Sequence, residues 1–395
     1  MALRRIAASF VYTLDALEPI RNGFVEYDDT DGRIINVGLC SEDDEINEGA
    51  LVPGFVNGHC HVELSHLHTK FRKGTGMAGF IDQINELRDW AGRDKKMELV
   101  QKWMDKMWED GVSAMADISN DDSSFEVKKS HPMYTRTFLE VFGSEPEMCQ
   151  GVMADVTELN RIADAVGIDA APTPHSCYTM SPQLLSASAA AGLERGYISY
   201  HSQESQEEED LLRTGTGAMY ENRKRSGMST PPVTGESSLK YFIDRLADAK
   251  QAPYDEQILL VHNVCLSQDD IDAAKKVMNN VYWTVCPLSN IFIHNALPPI
   301  PLMRANSLNI MLGTDSLSSN DDLDMVKEMY CLHDAFPEVP MAEILTWASL
   351  NGAAFLGKED ELGSFTPGKR PGIVLVSEMD KEGFVTKDSC SKRII

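Results

Sequence analysis

Short apolar runs, each leading to a polar residue with chemistry to offer, recur through the middle of the chain. They cover residues 51–56 (leading to His59), 112–116 (to Asp117), 137–141, 168–171 (to His175), 197–200 (to His201), 258–261 (to His262), 281–285 (to Ser289) and 310–312 (to Asp315). Strand-length runs without polar alternation mark strands buried on both faces of a parallel sheet, and helical stretches fill the intervals. Eight such strands interleaved with helices predict an α/β protein of the (β/α)8 TIM barrel class. Active sites in that fold occupy the C-terminal strand ends, which is where the His and Asp residues fall. The intervals 61–112 and 212–258 leave room for inserted loops over the barrel mouth. Gly74, Gly76 and Gly79 in the first, and NRKRSGMSTPP at 222–232 in the second, suit shaped or mobile lids.

The ends of the chain carry a different pattern. Strands are expected over 6–14, 24–27 and 34–37, the last after the turn Asp31-Gly32, and over 373–376 after the turn Thr366-Pro367-Gly368. Two β-rich ends flanking a long middle predict that residues 1–53 and 360–395 join in one small sheet domain beside a barrel of residues 54–359.

The 395 residues hold 36 Lys and Arg against 61 Asp and Glu, a formal charge of −25, and are 43% hydrophobic. That composition excludes a disordered chain, and its sign argues against nucleic acid and anionic membranes as partners. No stretch approaches the roughly 18 apolar residues of a membrane span. Arg4-Arg5 and the run after it have the look of a signal peptide. However, Ser9, Tyr12 and Thr13 interrupt the run and Asp15 ends it without a small-residue cleavage site, so a first strand is the better reading. Eight scattered cysteines with no CxxC pair point to reduced thiols in a cytoplasmic protein.

His59 and His61 are spaced i, i+2, which on a strand puts both side chains on one face, while Cys60 between them points the other way and packs. His201 and Asp315 end later strands. Together the four make an N₃O set that suits one divalent ion, Zn²⁺ or Fe²⁺, better than Ca²⁺ or Mg²⁺, which prefer all-oxygen shells. Taken singly, His201 reads equally well as a buried core histidine and Asp315 as a helix N-cap. A metal hydrolase also needs a proton carrier that is not a ligand. Glu204, three residues beyond His201 in HSQES, is the candidate, whereas Glu207, Glu208 and Glu209 read as a solvated acidic helix start. His262 is placed to stabilise developing oxyanion charge. His175 is a candidate substrate contact or a buried hydrogen-bonded histidine. The zinc deaminases that need both H-x-E and P-C-x-x-C are excluded because no P-C-x-x-C run occurs, and HExxH is absent too.

The stretches PGFVNGHCHVELSHL (53–67), PHSCYTMSP (174–182), HSQES (201–205), LVHNVCLS (260–267), CPLSN (286–290) and GTDS (313–316) together resemble the amidohydrolase superfamily. The likeness is to its cytosine/guanine/S-adenosylhomocysteine deaminase and triazine hydrolase branch. It implies a distorted barrel with a composite β-sandwich built from both termini, and one metal held by His59, His61, His201 and Asp315. It also implies that Asp315 takes a proton from the attacking water, that Glu204 passes it to a substrate ring nitrogen, and that the protein forms a homodimer. No strand-end lysine suited to carbamylation is evident, so one metal is expected. Two positions depart from the family pattern: Cys60, where Thr is frequent, and Gly372, where Asp is frequent. HxHxELSHL and FLEVFG (138–143) look most like aminodeoxyfutalosine deaminase-like proteins, which act on an adenine-bearing nucleoside. Glu63 would then hydrogen-bond the purine or its sugar, or else hold a histidine or a lid. The loops at 69–79 and 213–236 would decide specificity. The leading expectation is a mononuclear metal-dependent deaminase that releases ammonia from an aminated purine nucleoside or similar heterocycle, with an aminodeoxyfutalosine-like substrate favoured. Two alternatives are a hydrolase of a cyclic amide, carbon–halogen or ester bond, and a catalytically inactive barrel used as a binding module.

Overall fold

The computed structural model describes residues 2–395. Its strands, in chain order, begin with β1 (Leu3–Val11), β2 (Ile20–Asp28), β3 (Ile34–Leu39) and β4 (Ile46–Pro53). Next come β5 (Phe55–Cys60), β6 (Val112–Ser119), β7 (Tyr134–Val141), β8 (Asp169–Pro174), β9 (Tyr197–Ser202), β10 (Tyr254–His262), β11 (Met278–Val285) and β12 (Ile310–Leu312). The chain closes with β13 (Ile373–Ser377) and β14 (Cys390–Arg393).

Strands β5 to β12 are the eight expected from the apolar runs. They form two four-stranded parallel sheets, β5-β6-β7-β8 and β9-β10-β11-β12. Single parallel bridges join the halves at the C-terminal rim, Cys60 to Asp315 on one side and Ser176 to His201 on the other. Both seams therefore run through candidate site residues. Closure at the first seam needs Gly313, because a Cβ there would lie 2.7 Å from the His59 nitrogen. Inside, Val56, Ala114, Ala116, Phe138, Leu259 and Val261 make a separate apolar core, with Phe355 packed among them. The neighbours Ile258 and Leu260 face the helices instead, as strand alternation requires.

Both chain ends meet in one six-stranded sheet, ordered β14-β13-β4-β1-β2-β3. Its two faces are legible residue by residue. Ala50, Val52, Val374 and Val376 join the large core shared with the barrel, while Leu51, Ile373, Val25 and Phe365 form a smaller one on the other face. The run 51–56, expected as a single strand, divides at Gly54. Residues up to Pro53 pair with β13 and those from Phe55 pair with β6. A side chain at 54 would strike Ser113 Oγ and the Pro371 carbonyl, so the crossing point takes glycine. Among the described residues no helix is long and apolar enough to cross a membrane.

Candidate active site

His59 is the last residue but one of β5, His61 lies one residue beyond that strand, His201 is in β9 and Asp315 follows β12. Their ligand atoms converge. His61 Nε2 is 3.1 Å from His59 Nε2 and 3.3 Å from His201 Nε2, while Asp315 Oδ1 is 3.8 Å from His59 Nε2 and 3.7 Å from His61 Nε2. Two ligands about 2.05 Å from one tetrahedral ion lie about 3.3 Å apart, so the spacing of His61 from His59 and from His201 suits ligands of one cation, and His59, His61 and Asp315 form a group able to hold an ion. Burial drives the His59 imidazole well below its ordinary pKa, and takes His61 to about 4 and His201 to about 3. All three are therefore neutral at pH 7, the form that ligates. Neutral ring nitrogens this close share at most one proton per pair, whereas a divalent cation satisfies every lone pair. The residues present fit the metal.

Asp315 is held for this task. Its Oδ2 accepts hydrogen bonds from Ser289 Oγ at 2.6 Å and Ser319 Oγ at 2.9 Å, leaving Oδ1 towards the histidines. Burial opposes its charge, but His61, His262 and the Ser289 hydroxyl outweigh burial and keep its pKa below the ordinary carboxylate value. No helix starts there; the next one is capped by Asp324. Asp315 and His262 also occupy the left-handed region, at φ +57° and +75°, and local backbone strain of this kind concentrates where function requires it. Cys60 points away, into the main core.

Glu204 is buried behind the strand ends. Its Oε2 accepts from the Tyr178 hydroxyl at 2.9 Å and its Oε1 is 3.5 Å from His262 Nε2. Burial, with the negative charges of Asp315 and Glu208, raises its carboxyl well above the ordinary value. That is the condition of a group able to hold a proton at neutral pH. His262 Nδ1 lies 3.2 Å from Asn290 Nδ2, and burial lowers the ring to about 3, so His262 is also neutral at pH 7. His175 stacks on His201 with centroids 4.4 Å apart and lines the cavity.

Two expectations are corrected. The acidic run is not a solvated face: Glu208 and Glu209 are buried. Glu208 accepts the backbone N–H of Gln203 at 3.1 Å and of Glu204 at 2.7 Å, and Glu209 accepts Ser238 N–H at 3.0 Å. Only Glu207 stays at the surface margin, where it caps the Ala78 amide. Glu63 does not reach the cavity. The strand ends at Cys60 and turns into a 3₁₀ helix, Val62–Leu67, so the i, i+2 face is lost and the Glu63 carboxylate accepts Asn120 N–H at 2.9 Å instead.

A cavity of about 160 Å³ opens above this cluster. Its deep end is the histidines, Glu204 and Asp315; its outer wall is Leu64, Met77, Phe80, Ile81, Ile84 and Phe142, with Arg88 at the rim. Most of that wall belongs to a helix, Gly76–Leu87, which the loop expected at 69–79 enters. Asn222, from the second insertion, holds this helix through Ala78 O at 3.2 Å and Asp82 Oδ1 at 2.7 Å. Sequence reasoning missed Tyr178 and Glu140, although both lie in motifs quoted above. Glu140 lies within the apolar run 137–141, one residue before the end of β7. Burial pushes its carboxyl up to about 8, and its Oε1 lies 3.5 Å from His201 Nδ1.

Comparison with known proteins agrees with this architecture. Over 312 residues the chain is 26% identical to the adenosine deaminase of Helicobacter pylori, covering 78% of this chain and 74% of that one. The fold matches the crystal structure of Helicobacter pylori aminofutalosine deaminase in complex with methylthio-coformycin at a TM-score of 0.76, with 22% identity, covering 96% of this chain and 93% of that one. It also matches a zinc-bound adenosine deaminase from Xanthomonas campestris at a TM-score of 0.69, with 20% identity, covering 94% and 84%. A family model described as the amidohydrolase family matches residues 50–394, which takes in all eight barrel strands and every candidate ligand. The chain belongs to the amidohydrolase family.

Proposed function

We propose that the protein is a mononuclear, metal-dependent deaminase that hydrolyses the exocyclic amine of an adenine-type nucleoside and releases ammonia. The observation that carries this reading is the convergence of His59, His61, His201 and Asp315 beside a buried carboxyl, Glu204, which none of them uses. A divalent ion held by those four residues would supply Lewis acidity, making a water nucleophilic near neutral pH. Zinc is the preferred ion, supported by the three imidazole donors and the zinc-bound structural neighbour, with iron(II) the alternative.

The chain's own residues account for the proton movements. Asp315, whose pKa stays below the ordinary carboxylate value, accepts the proton of the attacking water. Glu204, protonated at the outset, gives its proton to the ring nitrogen next to the attacked carbon, is reprotonated with the proton Asp315 took from the water and passes that one to the departing amine. The O–H proton released as the carbonyl forms returns to Glu204, which restores both carboxyls to their starting states. The His262 Nε2, with no protein hydrogen-bond partner, steadies the oxygen as the C–O bond forms. The C–N bond breaks, ammonia leaves with the transferred proton, and the amine is replaced by a carbonyl. His175 stands against the substrate ring as a binding group. The nucleoside assignment follows the names of the relatives, and the apolar wall of Met77, Phe80, Ile81 and Ile84 supports a substrate larger than a free base.

The division at residues 53/54 and 359/360 and a cytoplasmic location belong to the same proposal. Eight cysteines without a disulfide support the second of these. A homodimer, carried by the family resemblance alone, is part of it too, to be tested by light scattering. An ammonia-release screen over adenine nucleosides, guanine, cytosine and triazines, with metal measured on the same sample, tests the function. Ammonia from an adenine nucleoside by a one-metal enzyme is the expected result. Metal-loaded protein silent across the purines, or protein that binds no ion, overturns the proposal.

A further inference from the structure

The loop after β8 and the loop after β9 are tied at two successive points. Cys177 Sγ donates to Glu208 Oε1 at 3.3 Å, and the Tyr178 hydroxyl donates to Glu204 Oε2 at 2.9 Å. Neighbouring residues on one loop thus meet two acids four residues apart, Glu204 in the other loop and Glu208 in the helix that follows it. Glu208 in turn accepts the amides of Gln203 and Glu204, holding that backbone where Gln203 adopts a left-handed φ of +51°. Arg223 fixes the other side of the turn by donating to the Tyr178 carbonyl. Glu204 is therefore restrained at its main chain by one buried acid and at one carboxyl oxygen by a buried phenol. Only Oε1 is left facing His262 and the cavity.

We infer that Tyr178, backed by Glu208, is a positioning residue for the proton carrier: it occupies Glu204 Oε2, so that every proton exchanged with substrate passes through Oε1. This rests on the reading of Glu204 given above. A carboxyl free to rotate would present either oxygen, or turn from the substrate altogether, during the transfers each turnover requires. A donor fixed on one oxygen removes that freedom and stabilises the ionised form between transfers.

Tyr178→Phe in the metal-loaded enzyme tests the inference. The ring keeps its edge contact with His175, and only the hydroxyl is lost, with its bond to Glu204 and its 3.9 Å contact with Met77 Sδ. A hydrogen bond to a charged group is worth about 10- to 150-fold, so kcat should fall about 10- to 100-fold with KM within about threefold. The limb of the pH–rate profile set by Glu204 should move to higher pH by about one unit, because the carboxylate has lost a donor. Metal content should not change. Glu208→Gln, which removes a neighbouring negative charge that raises the Glu204 carboxyl, should shift that limb the opposite way, to lower pH, separating the effect of the phenol from that of the charge. Unchanged kcat and pH profile in Tyr178→Phe, in an enzyme that Glu204→Gln inactivates, overturns this inference alone. Normal turnover by Glu204→Gln overturns the reading of Glu204 and this inference with it. A Tyr178→Phe loss that lies wholly in KM would assign the hydroxyl to substrate binding and also overturn it.

Discussion

Lys128 and Asp117 form an ion pair in which neither side chain is exposed at all, and Asp117 pairs with Cys60 of β5, the strand that carries His59. The lysine also donates to Ser119 Oγ at 2.7 Å, and the other carboxylate oxygen accepts Val62 N–H at 3.0 Å, one residue beyond His61. Burial keeps the Asp117 carboxyl above its ordinary pKa in spite of the lysine, so desolvation outweighs the attraction within the pair. It follows that breaking the pair and deleting it must differ. Lys128→Met leaves a buried carboxylate without its counter-charge and should destabilise the protein by about 3–5 kcal/mol. Adding Asp117→Asn removes the remaining charge, while the amide oxygen still accepts Val62 N–H. The double variant should therefore recover to within about 1 kcal/mol of the parent. Asp117→Ala releases the amide next to His61 and should also weaken metal binding about 10- to 100-fold, as loss of a partner that orients a ligand does. Urea unfolding of chelator-treated protein separates intrinsic stability from metal linkage, and competition with a chromophoric chelator reads the affinity. A Lys128→Met loss below about 1 kcal/mol, or a double variant no better than the single one, refutes this reasoning.

Glu204→Gln should keep its metal and lose about 10²-fold or more in turnover, read by ammonia release alongside metal analysis. Replacing Ser289 and Ser319 together by alanine frees Asp315 Oδ2, and metal affinity should fall about tenfold or more with the fold intact, measured by chelator competition and circular dichroism. His294, whose two ring nitrogens have no partner, is lowered by burial to about 4 from the 6.5 of the unfolded chain. Its folded form takes up fewer protons between those values, so stability present above pH 6.5 is lost as pH falls through that window. By pH 5 the loss is about 1–2 kcal/mol, and His294→Leu should flatten that part of the stability–pH curve in chemical denaturation.

Much of the site could be read before folding because a parallel barrel delivers its chemistry at fixed places. Each apolar run announces a strand, and the polar residue after it lies at the rim; His59, His201, His262 and Asp315 were all found by that rule. It failed where local geometry departs from the strand. Glu63 seemed to share a face with His61 until the chain turned into a 3₁₀ helix at Val62. Glu208 and Glu209 carried the composition of a solvated helix start, yet the two loops close over them. A residue's partners across a barrel come from distant parts of the chain, and no periodicity within one segment records them.

The order of residues along this chain settles the eight barrel strands, the pairing of its two ends in one sheet, and the types of donor brought to the rim, since these depend on local burial preference and strand alternation. Only the closed barrel decides that His61 stands 3.1 Å from His59 and 3.3 Å from His201, that Asp315 is turned by two serines, and that Tyr178 rather than Glu63 reaches Glu204 and the cavity. Those facts rest on seams between strands far apart in sequence, where the distances follow from how the two half-barrels pack.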